Sequence, residues 1–356
     1  MTNIDLAEHQ SIRFNNQNSQ QTPDLEYSLK MLGLKLEPIP RVYETNPEKL
    51  RASVIANNSP LIFSGLIDQW RSYRNWSPTE LTKEHGRKSV KALINLPSKG
   101  VFFPKDQKHY EQILTLSEFM DLILSTPADR PCYLAYQRAN EIFSSQDYDF
   151  DSLLGSLNTS HDTRVWIGSA GTRSMLHSDL KDNLFCQIWG EKKVVLIPWE
   201  DSLSAYPCPN NIVNSQLDLA NINLKYYPKL KGTTLYTATM GPGDMLFMPR
   251  GWWHDIRAQT PSISLNHWFG PSLSFRDYSL LILKLGPRCW RAVAKDFLYS
   301  GLLGKTEETN FFFSPPSTGK RLYDLFKWGN FSKENDPTTD EFQNQSEKKE
   351  NRNAEY

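Results

Sequence analysis

The sequence predicts a mainly β protein of the α+β kind, with a β-barrel or jelly-roll core, an α/β portion before it and helices after it. Three observations carry that expectation. From Arg164 the chain becomes a series of short apolar strands divided by Gly, Pro and Asn, the punctuation of closed antiparallel sheets. Ser262-Ile-Ser-Leu-Asn-His-Trp-Phe269 alternates strictly, so Ser264, Asn266 and Trp268 share one face and Ile263, Leu265 and His267 the other. Beyond it, Phe275 to Leu303 is leucine-rich and reads as two helices broken at Gly286-Pro287.

Taken in order, residues 1–24 are rich in Asn, Gln and Ser without apolar periodicity and are expected to be disordered. Residues 25–160 read as an α/β portion supporting the barrel. There Pro60–Gly65 and Cys132-Tyr-Leu-Ala-Tyr-Gln137 are strands, and Leu114–Leu124 is a helix with Ser and Thr at its start and Pro127 beyond its end. Residues 161–270 hold the barrel, with Arg164–Gly168 as one strand. Asn183–Trp189 and Lys192–Pro198 form a pair, and Gly190-Glu191 between them fits a type II′ hairpin turn. That register puts Asn183, Phe185, Gln187 and Trp189 on one face with Lys192, Val194 and Leu196. Leu184, Cys186, Ile188, Val195 and Ile197 take the other.

Pro207–Pro228 is a long connection with few strand signals, and Gly232–Ala238 and Gly243–Pro249 are strands on either side of the turn Gly241-Pro-Gly-Asp244. No helix pattern follows that turn, so it is not a phosphate loop. Residues 271–305 are the C-terminal helices. A closed barrel leaves them little to cover, so their apolar faces suit a homodimer contact, or failing that the N-terminal half. Arg276, Lys284, Arg288, Arg291 and Lys295 interleave with them, which a membrane surface would also suit. Residues 306–356 are a polar tail, expected to be largely disordered.

The 356 residues carry 40 Lys and Arg against 40 Asp and Glu, so no global attraction to nucleic acid is expected. Cys132, Cys186, Cys208 and Cys289 lack CxxC spacing and suit a reducing compartment. The start of the chain is polar, without the apolar segment of a secretory signal, and the longest apolar run, near Tyr278–Leu283, is far too short to span a bilayer. A cytoplasmic protein without a transmembrane segment is expected.

The chemistry concentrates in Ser174-Met-Leu-His-Ser-Asp179 and Gly243-Asp-Met-Leu-Phe-Met-Pro-Arg-Gly-Trp-Trp-His254. Residues two apart in an extended segment point the same way, so His177 and Asp179 can reach one metal, and His254 from a later strand completes the set. Two histidines and one carboxylate leave positions open on an octahedral ion, the arrangement of non-haem Fe(II) oxygenases. Lys192 on an interior face beside that set calls for an anion, because an unpaired buried ammonium is costly. The adjacent pair His161-Asp162 is given no role.

The run from Trp166 to Phe269 resembles the cupin-like JmjC hydroxylases, and among them most closely the asparaginyl hydroxylase that inhibits hypoxia-inducible factor. The similarity lies in His177-Ser-Asp-Leu-Lys-Asp-Asn-Leu-Phe-Cys-Gln-Ile-Trp-Gly-Glu-Lys192, Tyr206-Pro-Cys-Pro209, Gly241-Pro-Gly-Asp244, Trp252-Trp-His254 and Asn266-His-Trp268. It implies a double-stranded β-helix of cupin type that uses Fe(II), 2-oxoglutarate and O2 to hydroxylate a protein or peptide side chain, releasing succinate and CO2. By position it implies His177, Asp179 and His254 as iron ligands. Lys192 would pair with the distal carboxylate of 2-oxoglutarate, with Ser174 and Tyr133 beside it, while Asn183 and Asn266 line the pocket and Trp253 and Trp268 shape it. Ser174 stands where that hydroxylase has Thr, and either hydroxyl donates to a carboxylate.

The competing readings are oxidation of a small molecule or biosynthetic peptide, demethylation of N-methyl-lysine, and a non-catalytic binding module of cupin shape. No methylammonium cage is legible. A zinc hydrolase fits three ligands but leaves Lys192 unexplained. Substrate choice is expected to lie in Pro207–Pro228 and the N-terminal part.

Overall fold

The computed structural model describes residues 24–56, 59–97, 107–159, 162–305 and 317–329. The expectation for residues 1–24 therefore lies almost wholly outside the described residues. Strands β1 (Lys35–Pro38), β2 (Arg41–Tyr43), β3 (Leu61–Ser64), β4 (Ser89–Leu93), β5 (Glu111–Thr115) and β6 (Tyr133–Arg138) come first. The barrel strands follow: β7 (Asp162–Gly168), β8 (Arg173–Ser178), β9 (Asp182–Trp189) and β10 (Lys192–Ile197). After a short excursion through β11 (Pro207–Cys208) and β12 (Asn211–Ser215) come β13 (Thr234–Met240), β14 (Asp244–Met248), β15 (Trp253–Ala258) and β16 (Ser262–Phe269).

Two sheets result, in the orders β1-β13-β10-β15-β8-β12-β11 and β2-β3-β14-β9-β16-β7-β6-β4-β5. Strands β7 to β10 alternate between the two, and so do β13 to β16. That winding is the double-stranded β-helix. The N-terminal strands extend both sheets, and the apolar sides of the sequence explain the layering. Phe185, Val194, Leu196, Leu246, Met248 and Ile256 meet between the sheets. Leu184, Cys186, Ile188, Ile263 and Leu265 face outward from the nine-stranded sheet, onto Phe119, Met120 and Ile123 of the helix Leu116–Ser125. This helix starts two residues later than expected, because Leu114 belongs to β5 and Thr115 and Glu118 close a reciprocal capping box that begins the helix at Leu116. Val195 and Ile197 face outward from the other sheet, onto Leu25 and Leu29.

The Gly190-Glu191 hairpin is corrected. β9 pairs with β14 and β16, and β10 with β13 and β15, so the two strands lie in different sheets and the glycine turns a corner between them. Gly190 has φ +72°, and a Cβ there would lie 2.0 Å from the Pro261 carbonyl oxygen. The face assignment survives on its first side for Asn183, Phe185, Lys192, Val194 and Leu196, which share the interior, but not for Trp189, which a register shift opposite Ile263 and Ser264 turns onto the outer cluster with Ile188. The second side splits into two separate outer faces. Pro207–Pro228 likewise contains the small pair β11–β12, and the strand expected from Gly232 begins at Thr234, after a 3₁₀ turn over Pro228–Gly232.

The C-terminal helices are Phe275–Leu285 and Pro287–Asp296, the second continuing as a π-helical stretch, Phe297–Leu302. Within the expected polar tail, Thr318–Trp328 is a helix whose Leu325 joins Tyr278, Ile282 and Val293 in one cluster; the rest of the tail lies outside the described residues. Leu283, Trp290, Leu302 and Phe326 on these helices are exposed. Among the described residues no helix is long and apolar enough to cross a membrane.

Candidate metal centre

β8 and β15 run antiparallel as neighbours, and their register sets His177 directly opposite His254. Directly opposed side chains on one face lie close enough to share a ligand. Asp179 follows two residues after His177, just past the strand end. Its backbone carbonyl accepts from Gly251 N at 2.8 Å and the Ser178 hydroxyl donates to the Gly251 carbonyl at 2.8 Å, so the turn that delivers His254 is tied to the segment that delivers Asp179. The ligand atoms of His177, Asp179 and His254 all lie within 4.8 Å of one another, near enough for one ion.

Each histidine is oriented by its own strand. His177 Nδ1 lies 2.7 Å from the Met175 carbonyl oxygen and His254 Nδ1 lies 3.1 Å from that of Trp252, so Nδ1 donates in each ring and the lone pair of Nε2 is left available to a metal. Burial first, then the neighbouring His177, draws His254 down to about 4, which keeps it in the neutral, metal-binding form. Burial opposes the charge of Asp179, but His254 and His177, then the N–H groups of Trp268 and Asn183, hold it below the ordinary carboxylate range. Those donors reach Asp179 Oδ2 at 2.7 Å from Trp268 Nε1 and 3.0 Å from Asn183 Nδ2. Asn266 Nδ2 in turn donates to Asn183 Oδ1 at 3.2 Å.

The trio opens into a pocket lined in addition by Lys192, Tyr133, Ser174, Asn183, Asn266 and Trp268. Of the residues singled out from the sequence as ligands or pocket residues, all but Trp253 meet at one place; Trp253 packs with Leu176 and Val195 on the outer side. Lys192 is 2% exposed, donates to the Ser264 hydroxyl at 2.7 Å and has no acidic partner among the described residues. Burial pulls its ammonium down to about 7. Tyr133, hydrogen-bonded to Ser174, is pushed up by burial and stays a neutral phenol.

Trp166, Phe185 and Ile256 also line the pocket but were not singled out for it, nor was Ser264 as the partner of Lys192. A signal existed for Ser264, which shares the polar face of its strand with Asn266. For Trp166 it was weaker, since an indole on a strand is more often plain packing.

Residues 47–275 match a family model described as a cupin-like domain. That is well over half of the chain, and the protein belongs to this family. Among curated relatives, Jumonji C domain-containing protein 5 of Drosophila melanogaster is 25% identical over 244 residues, 65% of this chain and 59% of its own length. Lysine-specific demethylase 8 of Xenopus tropicalis is 26% identical over 238 residues, 65% and 52% of the two chains. HSPB1-associated protein 1 of Rattus norvegicus is 27% identical over 251 residues, 64% and 52%. The chain thus spans between half and three-fifths of the length of these relatives.

Proposed function

We propose that the protein is an Fe(II)- and 2-oxoglutarate-dependent dioxygenase that hydroxylates a side chain of a protein or peptide, releasing succinate and CO2. The observation that carries this reading is the presence, in one pocket, of a His-Asp-His donor set and a buried lysine without an acidic partner. Two imidazoles and a carboxylate suit Fe(II) and leave positions for a chelating keto acid and O2. Lys192 suits the distal carboxylate of that acid. A structural or hydrolytic zinc gives the lysine nothing to do.

When bound, iron and the keto acid supply the oxidising chemistry. The chain supplies placement. His177 and His254 present Nε2 because their Nδ1 protons are engaged, and Asn183 and Trp268 hold Asp179 toward the histidines. Lys192, Tyr133 and Ser174 hold the anionic end, where a charge-assisted bond in a dry pocket fixes the keto acid's direction. Phe185, Ile256 and Trp166 limit the water that reaches it.

The motif resemblance to the asparaginyl hydroxylase favours hydroxylation, while relatives named lysine-specific demethylase favour demethylation. Incubating the purified protein with Fe(II), 2-oxoglutarate and candidate peptides separates them by mass: hydroxylation adds one oxygen, demethylation removes a methylene. Succinate release no greater than that of a His177→Ala control across all substrates would sink the dioxygenase reading.

A further inference from the structure

We infer that the indole N–H of Trp166 is a further donor to the distal carboxylate of the co-substrate, at the Lys192 end of the pocket. The inference rests on the dioxygenase reading and adds to it a residue that the chain's motifs did not assign.

Trp166 lies on β7 opposite Ser264 of β16, and Ser264 is the hydroxyl that Lys192 holds at 2.7 Å. Its ring lies 5.7 Å from that of Tyr133, whose own centroid is 5.9 Å from the Lys192 nitrogen. Trp166, Tyr133 and Lys192 therefore converge on one end of the pocket. The Trp166 nitrogen is fully buried and has no acceptor; of the buried side-chain atoms without a partner among the described residues, it alone belongs to the pocket lining. An indole N–H and an ammonium both only donate, so neither can satisfy the other. The ammonium has Ser264 for one of its three protons, and its remaining protons and the indole N–H call for an acceptor from outside the chain. A carboxylate offers about four lone pairs and can serve Lys192, the Tyr133–Ser174 pair and Trp166 together. An uncharged ligand end with a single lone pair cannot.

The test deletes the N–H while keeping an aromatic ring. Binding of 2-oxoglutarate to Mn(II)-loaded wild type and Trp166→Phe is measured by calorimetry without oxygen, beside pyruvate, which keeps the keto acid and lacks the distal carboxylate. Trp166→Phe is expected to weaken 2-oxoglutarate about tenfold and to leave pyruvate within about twofold. Equal weakening of both ligands, or of neither, overturns the inference. A wild type that binds no 2-oxoglutarate overturns the dioxygenase reading and the inference with it. Should Trp166→Phe fold poorly, the Zn(II)-loaded wild type with ¹⁵N-labelled tryptophan decides: the Trp166 indole N–H resonance moves downfield with 2-oxoglutarate and not with pyruvate. A resonance that ignores 2-oxoglutarate overturns the inference.

Discussion

At the metal end of the pocket the two histidines give their Nδ1 protons to their own strands, and Asp179 Oδ2 takes N–H bonds from Trp268 and Asn183. At the other end Lys192 has one hydroxyl partner and the Trp166 nitrogen has none. The first end is set by hydrogen bonds made within the chain, so its geometry exists before any ligand arrives. The second is short of acceptors, and on the proposed reading the carboxylate of the co-substrate would supply them. Substitutions at the first end should therefore act through geometry and metal affinity. Those at the second should act through charge, and so depend on pH.

The largest effect is expected from Asp179→Ala, which removes the only carboxylate of the trio. Bound metal, read by elemental analysis after anaerobic loading, falls to trace level, and turnover falls about a thousandfold or more. Retention of full metal content would show that the histidines alone hold the ion, and the contrast between the ends would lose its first half.

Lys192→Ala comes next. Removing a charged donor from a buried site weakens 2-oxoglutarate about a hundredfold, with metal affinity unchanged. The wild type should also show a pH signature. In the ligand-free pocket Lys192 loses its proton near 7, and the carboxylate binds the ammonium form. Above about pH 7 binding must take up a proton, so affinity falls by up to about tenfold per pH unit there and is flat below. The sign for folding is opposite. The unfolded lysine holds its proton up to its ordinary 10.5, so the ligand-free fold gains stability as pH rises from about 7 toward 10.5. A pH-independent 2-oxoglutarate affinity would place a counter-charge at the lysine and erase the contrast.

The two ends also differed in how far they could be read from sequence. His177, Asp179 and His254 were legible because ligand chemistry fixes residue type and a period of two fixes the face. Asn183 and Lys192 were correctly set facing one space through a turn that the fold does not make. A hairpin and a sheet corner both ask for glycine at positive φ, and Gly190 satisfies either. What distinguishes them is the Pro261 carbonyl packed against it, a contact from a distant strand. The Trp166 nitrogen lay beyond sequence reasoning for the same kind of cause, since having no partner is a property of the assembled pocket. The pair β11–β12 was too short to carry a pattern. The helix Thr318–Trp328 was hidden because residues 306–356 read as one polar tail, on the strength of the Lys-, Glu- and Asn-rich stretch that follows the helix.

Trp268→Phe sharpens the metal end. It keeps the ring but removes one of the two N–H bonds to Asp179 Oδ2, leaving that of Asn183. Groups that orient a ligand typically account for one to two orders of magnitude in metal affinity, and with one donor retained about tenfold is expected. A metal titration that leaves 2-oxoglutarate affinity on the Mn(II)-loaded protein within about twofold would mark Trp268 as a positioning residue of that end alone.

The smallest effect should come one step further back. Asn266 touches Asp179 only through Asn183, accepting nothing from it and donating one neutral hydrogen bond to its Oδ1. Asn266→Ala leaves the Asn183 amide less firmly oriented, so that its oxygen can turn toward Asp179 for part of the time. One neutral hydrogen bond contributes about 1 kcal/mol, and felt through an intermediate residue it should weaken metal binding about threefold. The ordering of Asp179→Ala, Trp268→Phe and Asn266→Ala in one metal titration measures how steeply orientation is lost with distance from the ion. An effect of Asn266→Ala as large as that of Trp268→Phe would mean that the two asparagines act as a unit. The boundary between the ends would then have to be redrawn, because Asn266 sits on the same strand face as Ser264, the partner of Lys192.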